Sequence, residues 1–270
     1  MRFKIKELGD SADVSSGEKD ATTELVKLIF LATASMLVIY FSVSFASEYF
    51  IRNITIEQEN KWFKKFDLSL IDMETSDSNS ELIKQVDKTL SRLIKHSSVP
   101  KLNYKIFVIQ DDDINAFAFP GGNIGVTSGL LTALEVSNES EDNVALAFVI
   151  SHELGHFKYR HHLKGLSRTI SVGLAFALLT GNSGDLSLIN NVLTLLELNH
   201  SQKQETESDL FAAELVFETY GSTKNIEKLF IVLKEGNDEN GVFAFLNTHP
   251  SSESRIHRLL EYSISLSKNN

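Results

Sequence analysis

The longest apolar pattern in the chain is a run without charge over residues 28–46, closed by Lys27 on one side and Glu48 on the other. Nineteen residues are enough to cross a bilayer as one helix. The residues before the run are mixed in charge, and no small-residue cleavage site follows it. It therefore reads as a signal anchor rather than a removed signal peptide. A second apolar run, residues 144–150, has no Pro or Gly and continues through Leu154 and Phe157 to about His161. That is too long for a buried strand and predicts a buried helix. Asn138, Ser140 and Asp142 offer N-cap oxygens just before it. A third pattern, Leu210, Phe211, Leu215 and Val216, is the apolar stripe of an amphipathic helix that opens near Glu205.

Shorter patterns fill the rest. Three β-rich runs, 106–109, 116–119 and 124–127, are separated by the acidic turn at Asp111, Asp112 and Asp113 and by Pro120, Gly121 and Gly122. A helix is expected from about Ser128. Helices are also expected over 56–66 and 81–96, with a Ser/Asp-rich break at 75–80 between them. Residues 169–180 are apolar but short for a span. A flexible turn at 181–184, helices over 186–198 and 225–234, and a polar loop at 236–241 complete the pattern. There is no internal repeat.

The chemistry stands on the second pattern. His152, Glu153, Leu154, Gly155 and His156 form an H-E-x-x-H stretch. Two imidazoles four apart on a helix share one face and can hold a zinc ion, and the adjacent glutamate can take a proton from the attacking water. Gly155 costs about 1 kcal/mol against Ala in a helix, so its presence suggests close approach by another backbone. A hydrolytic zinc site takes three protein ligands and leaves a position open. His162, six residues beyond His156, has the metzincin spacing, but Tyr159 stands where that class needs glycine. The methionines, Met1, Met36 and Met73, all lie upstream, so no methionine turn follows. His161 and His162 read instead as a solvated helix end, suited to the C-terminal dipole.

The better third ligand lies in Glu205, Thr206, Glu207, Ser208 and Asp209. Glu205 and Asp209 are four apart and share a helix face. One carboxylate can bind the metal, and the other can accept the free ring N–H of a ligand histidine. Glu207 points elsewhere and reads as a surface charge. Near the C-terminus His249 precedes Pro250 and is biased to extended backbone. Ser251 or Ser252 then caps a helix carrying Arg255. A histidine and an arginine held at a helix entrance can stabilise an oxyanion.

At these residues the chain resembles the membrane-associated gluzincins, the zinc metallopeptidase family of HtpX, BepA and the CaaX prenyl-protein endopeptidase. Their second-helix pattern, E-x-E-A-D, is matched here except for Ser208 in place of alanine. The segment from Asn115, Ala116, Phe117 through Pro120, Gly121, Gly122, Asn123 and Ile124 is similar to their N-A-F-x-x-P-G-G element. Thr248, His249 and Pro250, followed by Arg255, are similar to their C-terminal H-P…R element. The resemblance covers residues 100–260 and not 1–95.

The resemblance implies one zinc ion per chain on His152, His156 and Glu205, with Glu153 as base. It implies Asp209 as the residue orienting a ligand histidine, and His249 with Arg255 at the oxyanion. The strand at Asn115, Ala116 and Phe117, with Gly122, Asn123 and Ile124, is the expected substrate-binding element, because an extended peptide can pair with a strand beside a zinc cleft. His249 is further expected to visit the fourth zinc position when substrate is absent.

The expected fold class is α+β: a mostly helical, zincin-like metallopeptidase domain with a small β-sheet, preceded by one N-terminal transmembrane helix. The expected division is a tail at 1–27, the transmembrane helix at 28–46, a membrane-proximal helical segment at 47–98 and the metallopeptidase domain at 99–270. The expected function is zinc-dependent cleavage of peptide or unfolded protein at a membrane, in envelope quality control. A membrane-tethered chaperone using the same cleft is the alternative. Basic residues flank the span on both sides, so the positive-inside rule does not orient it. A bacterial inner-membrane protein with a periplasmic catalytic domain is expected from the resemblance. Net charge is −10 without a strong basic cluster, which argues against a nucleic-acid partner. There is no cysteine, so no disulfide reports on compartment.

Overall fold

The uncharged run lies inside α1 (Ala21–Asn53), a helix of 33 residues. Its stretch Thr22–Ala46 is long and apolar enough to cross a membrane, and none of it is buried against the rest of the chain. Phe30, Phe41 and Phe45 stand exposed along it, as lipid-facing side chains would. This computed structural model describes residues 21–63, 81–136, 143–165, 200–226, 229, 249 and 253–268. The expected break at 75–80, the apolar stretch at 169–180, the turn at 181–184, the helix over 186–198 and the loop at 236–241 lie outside them. So does most of the helix expected over 225–234.

Helix α2 (Ile56–Phe63) follows α1 closely. Thr55 and Gln58 exchange side-chain and backbone bonds of 3.2 and 2.9 Å, a capping box that starts it. Helix α3 (Glu81–His96) buries Val86, Leu90 and Leu93, three apolar positions on one face. These enter the same core as the sheet and the zinc-motif helix.

The sheet holds β1 (Lys105–Ile109), β2 (Ala116–Phe119) and β3 (Asn123–Thr127) in the order β1-β3-β2. β1 runs parallel to β3, with Ile106 opposite Ile124. β2 runs antiparallel to β3, with Phe117 opposite Gly125. The β2–β3 turn needs φ of +83° and +87° at Gly121 and Gly122, backbone that a side chain would strain. Thr127 caps the short helix α4 (Ser128–Ala133).

Three helices complete the described chain: α5 (Val144–Lys158), α6 (Gln202–Tyr220) and α7 (Glu253–Lys268). α5 is the centre of the domain. It packs on α6, on β2 and on α3, which is why its sequence is apolar away from His152, Glu153 and His156. Leu146, Ile150 and Leu154 are fully enclosed there with Phe211 and Leu215 of α6.

Two local expectations are corrected. The cap of α5 is Asn143, whose side chain accepts from Leu146 N at 2.9 Å. Asn138, Ser140 and Asp142, the expected caps, lie outside the described residues. The helix also stops at Lys158, short of His161. Arg160 takes φ of +57°, turning the chain back before a helical segment at 161–165. His161 and His162 are therefore buried, at 0% and 5% exposure, and are not a solvated helix end.

That reversal is held from the anchor side. Glu59 of α2 is buried and accepts from Arg160 Nη2 at 2.9 Å, and it lies 2.8 Å from His162 Nε2. Arg160 Nη1 donates to Ile54 O at 2.6 Å. Asn60 Nδ2 reaches Lys101 O at 3.2 Å. The helix that leaves the apolar span is thus bonded to the end of α5.

Candidate active site

Helical spacing brings the site together. His152 and His156 lie on one face of α5, and their Nε2 atoms are 3.0 Å apart. Facing them, the capping box of Ser201 and Gln204 starts α6 and sets Glu205 in its first turn. Glu205 Oε2 lies 3.4 Å from His152 Nε2, and Oε1 lies 3.5 Å from His156 Nε2. Glu205 is fully buried. Gly155 allows this approach: a Cβ there would stand 2.9 Å from Ser208 Cα.

These distances fit a metal. Zinc bonds of about 2.0–2.1 Å at tetrahedral angles set neighbouring ligand atoms about 3.3 Å apart. Two imidazole nitrogens and a carboxylate at 3.0–3.5 Å are such a donor set, and they suit zinc better than magnesium or calcium, which prefer oxygen. Glu153 supplies a further sign. It is buried, and neither carboxylate oxygen has a hydrogen bond among the described residues. His249 Nε2 lies 3.5 Å from its Oε1.

The surrounding groups orient the donors. Asp209 Oδ1 lies 2.9 Å from His152 Nδ1, leaving Nε2 to face Glu205. Arg255 of α7 donates to both oxygens of Asp209, and its Nη1 lies 2.8 Å from Glu205 Oε2. Its guanidinium clamps the two acids of α6 and also reaches His249 O at 3.4 Å. His249 is buried with Nδ1 3.3 Å from His152 Nε2 and 3.2 Å from both Glu205 oxygens. Its Nε2 lies 3.2 Å from Ala116 O on β2.

Electrostatics follow from this crowding. Burial works against the charge of Glu205, but His249 and His152 outweigh it and hold the carboxyl far below its usual range. Asp209 is lowered against the same burial by His152 and Arg255. His152 is raised to about 10, because Glu205 and Asp209 overcome its desolvation. Burial raises Glu153, partly opposed by His249 and His152. His156 is pushed well down by burial and by neighbouring His200.

The expected substrate strand lies beside this cluster. β2, with Ala116 and Phe117, is at the sheet edge next to α5, and no strand flanks its outer side among the described residues. Asn115 precedes it and bonds to Thr127. Gly122, Asn123 and Ile124 sit in the turn and on β3, the central strand, whose backbone pairs on both sides. Asn123 Nδ2 is bonded to Pro120 O.

Sequence reasoning missed three neighbours. His161 Nδ1 lies 3.0 Å from His156 Nδ1. His200, just before the α6 cap, stacks on the His156 ring at 4.0 Å. Burial takes both down to about 3. Glu207, expected as a free surface charge, lies 3.3 Å from His161 Nε2 and is about one-third exposed. The signal for His161 was the five-residue spacing after His156; nothing local marked His200.

Comparison with known proteins finds metallopeptidase relatives. The chain is 32% identical over 183 residues to the mitochondrial metalloendopeptidase OMA1 of Schizosaccharomyces pombe, covering 66% of this chain and 52% of that protein. It is 31% identical over 192 residues to the metalloprotease LoiP of Escherichia coli, covering 67% and 71%. It is 27% identical over 195 residues to the β-barrel assembly-enhancing protease of Escherichia coli, covering 66% and 38%. The chain thus spans about half the length of OMA1 and less of the β-barrel protease. Residues 81–263, from α3 into α7, match the description Peptidase family M48. By that match over most of its length, and by its likeness to LoiP, the chain belongs to peptidase family M48.

Proposed function

We propose that the chain is a membrane-anchored zinc endopeptidase acting on peptide or unfolded protein. The observation that carries this reading is the convergence of His152 Nε2, His156 Nε2 and a Glu205 carboxylate within 3.0–3.5 Å, beside a Glu153 carboxylate that has no hydrogen bond among the described residues. These three residues would hold one zinc ion, which would supply Lewis acidity for the attacking water and the scissile carbonyl.

The chain's own residues do the rest. Glu153 takes the proton from the water and passes it to the leaving amine. Asp209 fixes the His152 ring so that Nε2 faces inward. Arg255 holds Asp209 and Glu205 in place through its Nε, Nη1 and Nη2, so the oxyanion falls mainly to His249. His249 can serve there only after leaving Glu205 and Ala116 O, which also frees the edge of β2 for a substrate backbone. His249 Nδ1 stands 3.2–3.3 Å from His152 Nε2 and the Glu205 oxygens, and this proximity supports a role for it as a fourth ligand when substrate is absent.

The relatives' names, a metalloendopeptidase and a protease that enhances β-barrel assembly, support quality control of envelope or membrane proteins as the role. The periplasmic side of a bacterial inner membrane remains our reading for the domain, with α1 as the anchor.

The test is Glu153→Gln in purified full-length protein, with metal content and cleavage of an unfolded substrate measured together. Zinc is expected at one per chain in both proteins, with cleavage lost in the variant. Full cleavage by the variant overturns the role of Glu153. Substrate protection that survives the change supports a chaperone using the cleft instead.

A further inference from the structure

We propose that His161 is a positioning residue for the metal site, acting through His156 as Asp209 acts through His152. This rests on the zinc-peptidase reading above. When a histidine gives Nε2 to a metal, its other nitrogen carries the proton and needs an acceptor. For His152 that acceptor is Asp209, 2.9 Å from Nδ1. For His156, whose Nε2 faces Glu205 and His152, the atom beside Nδ1 is Nδ1 of His161, at 3.0 Å.

The protons then follow one course. His156 Nδ1–H donates to His161 Nδ1, which must be bare. A neutral His161 therefore carries its own proton on Nε2. That atom is buried and has no hydrogen bond among the described residues, and the nearest acid is Glu207, with Oε2 at 3.3 Å. No hydrogen bond joins the two, so the carboxylate stands there as a nearby negative charge. Each link is dictated by the one before it.

The fold builds this arrangement at some cost. His161 can point back at His156 only because α5 stops at Lys158 and Arg160 adopts φ of +57°. Tyr159 stacks on the His161 ring at 5.6 Å between centroids. A non-glycine residue in left-handed backbone persists where its surroundings over-determine it. Here Arg160 is held by Glu59 and Ile54 O. The reversal that displaces His161 from solvent is the one that supplies His156 with its acceptor.

The experiment measures zinc affinity of the full chain in detergent by competition with a chelating dye. His161→Leu places carbon where Nδ1 stood. His161→Asn places Oδ1 there and restores an acceptor. Loss of such a partner typically weakens metal binding about 10–100-fold, so that loss is expected for leucine, with asparagine recovering most of it. Equal affinity of the leucine variant and the wild type overturns the proposal. So does equal loss in both variants, which would make the effect one of packing.

A second readout needs no stable leucine variant. In 15N-histidine spectra of the zinc-loaded wild type, with the His161 signals identified by their loss in His161→Asn, His161 should be protonated at Nε2 and bare at Nδ1. A proton on Nδ1 overturns the assignment. Failure of the wild type to bind zinc at all refutes the peptidase reading itself, an outcome distinct from either variant result.

Discussion

Gly155→Ala separates the roles of helix propensity and helix contact. Alanine is favoured over glycine by about 1 kcal/mol inside a helix, so an isolated α5 would gain. In the fold the new Cβ would lie 2.9 Å from Ser208 Cα, 3.1 Å from Ser208 Cβ and 3.2 Å from Phe211 Cδ1. The Phe211 ring can rotate aside, but a backbone carbon cannot. α5 and α6 must move apart by a few tenths of an ångström. Overpacking of a tight core costs about 1–3 kcal/mol, so the net effect is destabilisation of about 1 kcal/mol. For a domain of this size that lowers Tm by about 2–4 °C.

The metal site should suffer more than the fold. His152 and His156 ride on α5 while Glu205 rides on α6, so the same displacement opens the 3.4 and 3.5 Å gaps between the two ligand sets. Zinc affinity should fall at least tenfold, measured by chelator competition, beside a small Tm loss by circular dichroism in the metal-free state. A variant with raised Tm and wild-type zinc affinity would falsify the view that this glycine sets the ligand geometry.

Glu59→Gln should destabilise the domain by about 3 kcal/mol, the lower end for breaking a buried pair because Arg160 is one-quarter exposed; denaturant unfolding measures it, and a loss below about 0.5 kcal/mol refutes the clamp. Burial opposes the Glu59 charge, but His162 and Arg160 lower its pKa below the ordinary value. Its contribution is therefore complete above the unfolded carboxyl pKa of about 4.3 and is lost as pH falls through the lowered folded value, so Glu59→Gln should flatten the acid limb of the stability curve, and an unchanged limb contradicts it. His249→Ala should lower turnover at least tenfold if the ring serves the oxyanion, and should change zinc affinity if it also fills the fourth position; unchanged values of both reject the two roles together.

The elements were legible wherever one pattern had one solution. Residues 81–96 alternate apolar positions at helical spacing and form α3 with the expected bounds. Runs 106–109, 116–119 and 124–127 became strands within a residue of their expected limits. The pair Glu205 and Asp209 was legible because i, i+4 spacing fixes a shared face whatever the partner. Gly155 announced a close backbone, and Ser208 provides it. What escaped were contacts made by reversals and by distant segments. Local pattern does not encode that Arg160 leaves the helix, so His161 and His162 read as exposed. Glu59 looks like any helix-surface acid until Arg160 and His162, over 100 residues away in sequence, arrive beside it.

The same cluster shows why a divalent ion is the natural occupant. Glu153, Glu205 and Asp209 are all buried, and the one guanidinium that the described contacts bring to them is Arg255. With all three carboxylates ionised and the imidazoles neutral, as metal binding requires, that set leaves two negative charges uncompensated, and burying each such charge costs several kcal/mol; in the metal-free site His152, raised to about 10, offsets one of them. A dication with neutral imidazoles balances both, whereas a monovalent ion leaves one charge over. A purely structural role would be served at lower cost by removing Glu153, whose carboxylate has no hydrogen bond among the described residues. A carboxyl retained at 1% exposure beside the donors, without a hydrogen bond among the described residues, is consistent with a proposed role in receiving a proton there.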